Sequence, residues 1–165
     1  VRIAKILLLF TVILSSISVA NENMKVQFGE GKVTVELPAL FDPPAITENG
    51  FLLKMDKKGR YTLEMTRLGA KEEVPKGFGP YAVMKMAEEK GLKASKVGDK
   101  VLMQEPFVQR GKGESGVKTI NFSIGVGGSI VTMTLTTPPK GVMSDKMKAL
   151  VNQTVNSAIL TLTEL

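Results

Sequence analysis

The chain has 165 residues, with 22 basic and 16 acidic side chains, a net charge of +6, and no Cys, His or Trp. Without thiols there is no disulfide staple, no lipidated cysteine, no cysteine nucleophile and no zinc thiolate site. Without imidazole the usual general base and the serine–histidine arrangements are excluded, which leaves Asp, Glu, Lys, Ser, Thr and Tyr for any chemistry.

In chain order, Arg2 and Lys5 precede an apolar run from Ile6 to Val19, and Ser18 and Ala20 supply small residues at its exit. A charged start, a short apolar middle and a small-residue end are the three parts of a secretory signal peptide. A retained transmembrane anchor is the competing reading, but the run is about 14 residues, against roughly 20 needed to span a bilayer. Residues 1–20 are therefore read as a signal peptide and residues 21–165 as one domain. Cleavage after Ala20 removes two basic residues and lowers the net charge from +6 to +4. The product is expected to be periplasmic or secreted, with membrane contact only through an uncleaved signal.

Residues 24–28 and 32–37 read as two strands around the turn Gly29-Glu30-Gly31. Val33, Val35 and Leu37 alternate with Lys32, Thr34 and Glu36, the period of a half-buried strand. Residues 38–49 hold three prolines and no periodicity, which predicts an irregular loop. Residues 51–55 and 61–66 form the clearest hairpin, turning at Asp56-Lys57-Lys58-Gly59-Arg60, with Tyr61, Leu63 and Met65 toward the core.

A second loop runs from Gly69 to Pro80, and Pro80 suits the first turn of a helix. That helix spans Tyr81 to Lys90, buries Ala82, Val83, Met86 and Ala87, and stops at Gly91. Strands follow at 92–97 and 100–110, with Pro106 marking an edge or a bulge. A flexible turn at 111–116 leads to a hairpin of 117–124 and 129–137 around Gly125-Val126-Gly127-Gly128. Ser144 then caps a long helix carrying Met147, Leu150, Val151, Thr154, Ala158 and Leu162 at helical spacing. The order predicts an α+β domain: a twisted, mostly antiparallel sheet with two helices packed on it.

Motifs that carry chemistry are scarce. Gly111 to Thr119 lacks the spacing of a phosphate-binding loop and leads into a strand instead of a helix. Gly125-Val126-Gly127-Gly128 lies between two strands, so turn geometry explains its glycines and a dinucleotide site is excluded. Ser115 and Lys118 match a Ser-x-x-Lys pattern but lack its companion motifs. Glu72-Glu73 and Glu88-Glu89 lie among lysines and read as solvated surface. Met84 and Met86 diverge on a helix, so core packing is preferred to a copper site. No cofactor or metal is expected. Dispersed basic residues and few aromatics argue against nucleic-acid binding.

The candidate partner contacts are Phe41 in the proline-rich loop, Phe78 between two glycines, Tyr81 beside it, and Lys57, Lys58 and Arg60 at a hairpin tip. Large apolar residues on stiffened loops suit interface anchors, against the competing reading that both Phe rings tuck into the core. The exposed hairpin cations suit solvent, or an anionic membrane or glycan.

Val33-Thr34-Val35-Glu36-Leu37-Pro38 before a long loop, a helix at 81–90 leading into Gly98-Asp99-Lys100, and a closing strand at 129–137 before a terminal helix form a layout over residues 24–162. This layout resembles the PsbP-like family, which includes extrinsic photosystem subunits and bacterial periplasmic or lipid-anchored proteins of the DcrB type. The resemblance implies a sandwich without a catalytic set that binds a protein partner, and this chain lacks the lipidated cysteine of the anchored members. An exported, non-enzymatic accessory protein is the expectation. A periplasmic immunity protein against an envelope-targeting toxin, and a histidine-free carboxylate or lysine enzyme, are the alternatives.

Overall fold

Alternating apolar and polar residues set the strands, and the computed structural model, which describes residues 22–69 and 74–165, sorts them into two antiparallel sheets. The expected signal peptide and the pair Glu72-Glu73 lie outside the described residues. In the smaller sheet β1 (Asn23–Phe28) pairs with β2 (Val33–Pro38), Asn23 opposite Pro38 and Phe28 opposite Val33. The larger sheet contains β3 (Ala45–Ile46), β4 (Gly50–Lys54), β5 (Thr62–Leu68), β6 (Ala94–Val97), β7 (Lys100–Gln104), β8 (Val108–Arg110), β9 (Val117–Val126) and β10 (Ser129–Thr137). Its order is β3-β4-β5-β10-β9-β7-β6, with β8 also on β9. A final strand, β11 (Thr163–Glu164), joins the smaller sheet through β2.

Two helices complete three layers. One face of the larger sheet, including Phe51, Leu63, Met65, Ile124 and Met133, packs against Phe28, Val33, Val35 and Leu37 of the smaller sheet. Helix α2 (Asp145–Thr161) adds Val151, Ala158 and Ile159 to that core. The opposite face holds Val101 and Met103, on which α1 (Phe78–Lys90) seats Val83 and Ala87. The chain is thus an α+β protein with two helices packed on antiparallel sheets, as expected, except that the strands divide into two sheets instead of one.

Local signals act where they were read. Tyr61, Leu63 and Met65 are buried while Glu64 is exposed. Gly91 caps α1 in the left-handed region at φ 63°, donating to the carbonyls of Ala87 and Glu88. The Ser144 hydroxyl accepts from the Met147 N–H at 3.2 Å, satisfying one orphan donor of α2.

Tertiary context alters other expectations. The supposed loop at 38–49 contains β3, because Ala45 and Ile46 pair with Leu52 and Phe51 of β4. Helix α1 begins at Phe78, ahead of the expected Tyr81, because the Phe78 N–H donates to Pro75 O and the Gly79 N–H to Gly127 O. Gly125 and Val126 belong to β9, so the turn is only Gly127-Gly128. Gly125 is needed for a close approach of α1, not for turn geometry. A Cβ there would stand 2.2 Å from the Gly79 carbonyl oxygen. Thr34, expected toward water, is buried where β11 joins β2. Next to that pairing, Ser157 Oγ donates to the Glu36 carbonyl at 2.7 Å and the Glu36 N–H donates to Thr161 Oγ1 at 2.8 Å. The helix thereby occupies an edge that would otherwise offer open backbone groups.

The last strand also locks the two sheets together. Glu164 Oε2 accepts from the Gly128 N–H at 2.5 Å, and Oε1 accepts from the Ser129 hydroxyl at 2.8 Å. Ser129 Oγ in turn accepts from Arg67 Nε at 2.8 Å, in a buried position. Glu164→Ala leaves the Gly128 N–H and the Ser129 hydroxyl without this acceptor. It is expected to cost about 2 kcal/mol in a urea titration, and a midpoint equal to wild type would show that the latch is not a stabilising contact.

Candidate partner-binding surfaces

The six candidate residues do not form one site. β1 begins beside Pro38, and the β2–β3 loop lies next to the β4–β5 turn, so Phe41, Lys57, Lys58 and Arg60 share one end of the sandwich. Phe78 and Tyr81 lie at and near the start of α1, whose Gly79 bonds to the β9–β10 turn at the other end.

At the first end, Phe41 is half-buried and packs against the main core, which agrees with the tucked reading for this ring. It lines an open groove of about 510 Å³ together with Leu40, Asp42, Lys54, Met55 and Lys57. The hairpin tip is ordered by Asp56, whose Oδ1 accepts from the Arg60 and Tyr61 N–H groups at 2.8 and 3.1 Å. Arg60 Nε lies 3.7 Å from Asp56 Oδ2, and Lys57 and Lys58 are exposed. Arg60 lines a different groove, with Glu114, Val117 and Pro138.

At the other end, the buried residues of α1 are Gly79, Val83 and Ala87, which turns Phe78, Tyr81 and Met84 outward. These three are 41%, 61% and 49% exposed. The ring of Phe78, assigned to a loop from sequence, therefore projects from the first turn of a helix. Met84, assigned to the core, is exposed, whereas Met86 is half-buried against Val83 and Met103. A shallow groove lined by Tyr81, Met84, Lys85, Glu88 and Leu92 continues the stripe.

Lys85 and Glu88 form an exposed ion pair on this face, with Nζ donating to Oε2 at 2.7 Å. That hydrogen bond holds the Glu88 carboxyl below its ordinary range and the Lys85 amine above its own, so each charged form is favoured. The pair shifts both groups away from neutrality, the opposite of the tuning that favours general acid or base work. Among the described residues there is no group of three or more Asp or Glu that could hold a metal ion. No described helix is long and apolar enough to cross a membrane.

Two buried charged residues, Arg67 and Lys100, carry no signal of burial in their residue type. Arg67 continues the inward parity of Leu63 and Met65, which is the signal that would have placed it. Its aliphatic stem packs against Gly29, where a Cβ would stand 2.6 Å from Arg67 Cδ. Lys100 is also buried, and its Nζ donates to the Leu160 carbonyl at 3.2 Å, in the last turn of α2. A cation there suits the helix dipole, and Asp99 lies 3.6 Å away. Both residues tie layers together, and Arg67 does so from the wall of two open grooves, one shared with Glu164 and one with Asn49.

No protein-family model and no curated protein matches the chain. Among solved structures, a crystal structure from Bacteroides thetaiotaomicron VPI-5482 is similar with 13% identity and a TM-score of 0.60, over 86% of this chain and 48% of that one. The chain thus spans about half the length of that structure, and the likeness is one of fold alone. The solution structure of cyanobacterial PsbP (CyanoP) from Synechocystis sp. PCC 6803 aligns over 90% of this chain and 96% of that one, at 11% identity and a TM-score of 0.37.

Proposed function

We propose that this chain is an exported, non-enzymatic accessory protein that binds a protein partner through the outward face of α1. The observation that carries this reading is the stripe Phe78, Tyr81 and Met84, exposed on a helix whose opposite side is seated on the sheet. Such side chains offer large apolar area on a rigid element, and aromatic residues in particular anchor interfaces. The apolar, positively led residues 1–20 support export. The absence of Cys and His from the sequence restricts catalytic options and supports a binding role. Within this proposal the chain belongs with the PsbP-like proteins of the DcrB type, on the layout of its strands and helices.

Capture from an envelope extract with the full chain tests it. Tyr81→Asp combined with Met84→Asp is expected to weaken recovery of the specific partner at least tenfold, about the effect of one interface hot spot. Unfolding temperature should stay that of the wild type, since both side chains face solvent. Equal recovery of the same proteins by variant and wild type would overturn the assignment of this face. Identifying the captured protein separates an assembly partner from an envelope-targeting toxin.

A further inference from the structure

We propose that the end of the sandwich opposite the start of α1 docks onto an anionic phospholipid bilayer. Four segments form one rim there. The Ala39 N–H donates to the Glu22 carbonyl, so the chain enters β1 beside the loop carrying Leu40 and Phe41. That loop shares its groove with Lys57 of the hairpin tip. Arg60, on the same tip, shares a groove of about 230 Å³ with Glu114, Val117 and Pro138. Arg110 sits opposite Val117 in the β8–β9 ladder, and Thr137 opposite Lys118 in the β9–β10 ladder.

The composition of this rim is what a charged lipid surface selects. Leu40, Phe107, Val108 and Val117 are all exposed, at 51%, 56%, 53% and 44%. Around them stand Lys57, Lys58, Arg60, Arg110, Lys112 and Lys140, all exposed as well. Lys118 Nζ lies 4.3 Å over the Phe107 ring, a cation held against an exposed aromatic face. The rim carboxylates are Glu22, Asp42, Asp56, Glu114 and, at the start of α2, Asp145; Asp56 is occupied by the hairpin backbone and Arg60, and Asp145 lies 3.3 Å from Lys148 Nζ. Apolar side chains ringed by an excess of cations combine shallow insertion with attraction to anionic headgroups.

Position along the chain points to the same occupant. The apolar run Ile6–Val19 lies immediately before the point where the chain joins this rim, a few residues ahead of Glu22. Any period in which that run is engaged with a bilayer places this end of the sandwich against the lipid. The partner stripe on α1 begins at the opposite end of the sandwich, on the side of the larger sheet, and shares no residue with the rim.

The test is vesicle sedimentation of the full chain, read as the ratio of binding to phosphatidylglycerol-containing vesicles over pure phosphatidylcholine vesicles. Apolar insertion of residues 6–19 contributes to both lipids and largely cancels in the ratio. Lys57→Glu, Lys58→Glu and Lys112→Glu together are expected to lower the ratio about a hundredfold, since each cation near an anionic surface is worth roughly fivefold. Three exposed lysines away from the rim, changed together as Lys76→Glu, Lys93→Glu and Lys96→Glu, provide the control with the same net charge. That control is expected to change the ratio less than threefold. Equal losses in both triple variants would reduce the effect to net charge and overturn the docking surface, as would an unchanged ratio in the rim variant. Wild-type circular dichroism of both variants keeps misfolding out of the comparison.

Discussion

Gly125→Ala is expected to destabilise the protein by about 3 kcal/mol and lower its unfolding temperature by roughly 10 °C. The expectation follows from how α1 reaches the sheet. A Cβ on Gly125 would stand 2.2 Å from the Gly79 carbonyl oxygen and 2.5 Å from the Pro80 nitrogen, both backbone atoms that cannot rotate away. Gly79 meets the same constraint from its side, with the Ser129 carbonyl oxygen 2.1 Å from where its own Cβ would be. The two glycines therefore let a helix backbone rest directly on a strand backbone. An added methyl must push α1 off the sheet and loosen Val83 and Ala87 from Val101 and Met103. Gly141→Ala, where a Cβ meets nothing within 4 Å, serves as the reference. Calorimetry that found both variants within 2 °C of wild type would sink this account of helix seating. Because α1 carries Phe78 and Tyr81, the same substitution should also weaken partner capture.

Phe51→Ala should have the largest effect on the other core, about 4 kcal/mol by urea denaturation. Phe51 is on the larger sheet and Phe28 on the smaller, and both are buried. Their rings meet edge to face, with centroids 5.1 Å apart and planes at 79°. This geometry sets the positive edge of one ring against the negative face of the other. Truncation loses the transfer free energy of the ring and leaves a cavity between two rigid sheets that close on it poorly. A double-mutant cycle with Phe28→Leu and Phe51→Leu isolates the pair, with an expected coupling of about 1 kcal/mol. Strict additivity would mean that the sheets are held by general burial and not through this contact.

The strand hairpins, both helices, the C-terminal cap of α1 and the N-terminal cap of α2 were legible because each depends on residues close in sequence. Leu63 and Met65 alternate with Glu64, and the parity alone buries the right face. Gly91 and Ser144 stop and start helices through bonds made within one turn. The candidate surfaces were legible only in part. Phe78 and Tyr81 were selected by residue type, yet it is the burial of Gly79, Val83 and Ala87 on the opposite side that turns them outward. Phe41 was selected by the same criterion and packs against the core, since its loop folds back over the β4–β5 hairpin. The charged rim was invisible as a unit, because 57–60, 110–112 and 140 are distant in sequence and meet only at one end of the strands.

By itself the sequence determined an α+β class, the positions of the main hairpins and helices, and a chemistry without thiol or imidazole. Those properties rest on composition and short-range periodicity, which any conformation of the chain must carry. Tertiary structure alone decided that the strands divide into two sheets, that Gly125 serves helix docking, and that Glu164 latches the tail to Gly128 and Ser129. Each of these joins residues far apart in the chain, through distances that no local pattern encodes. The same long-range packing separates an apolar face on α1 from a basic rim at the other end, and so gives a chemically sparse chain two distinct surfaces.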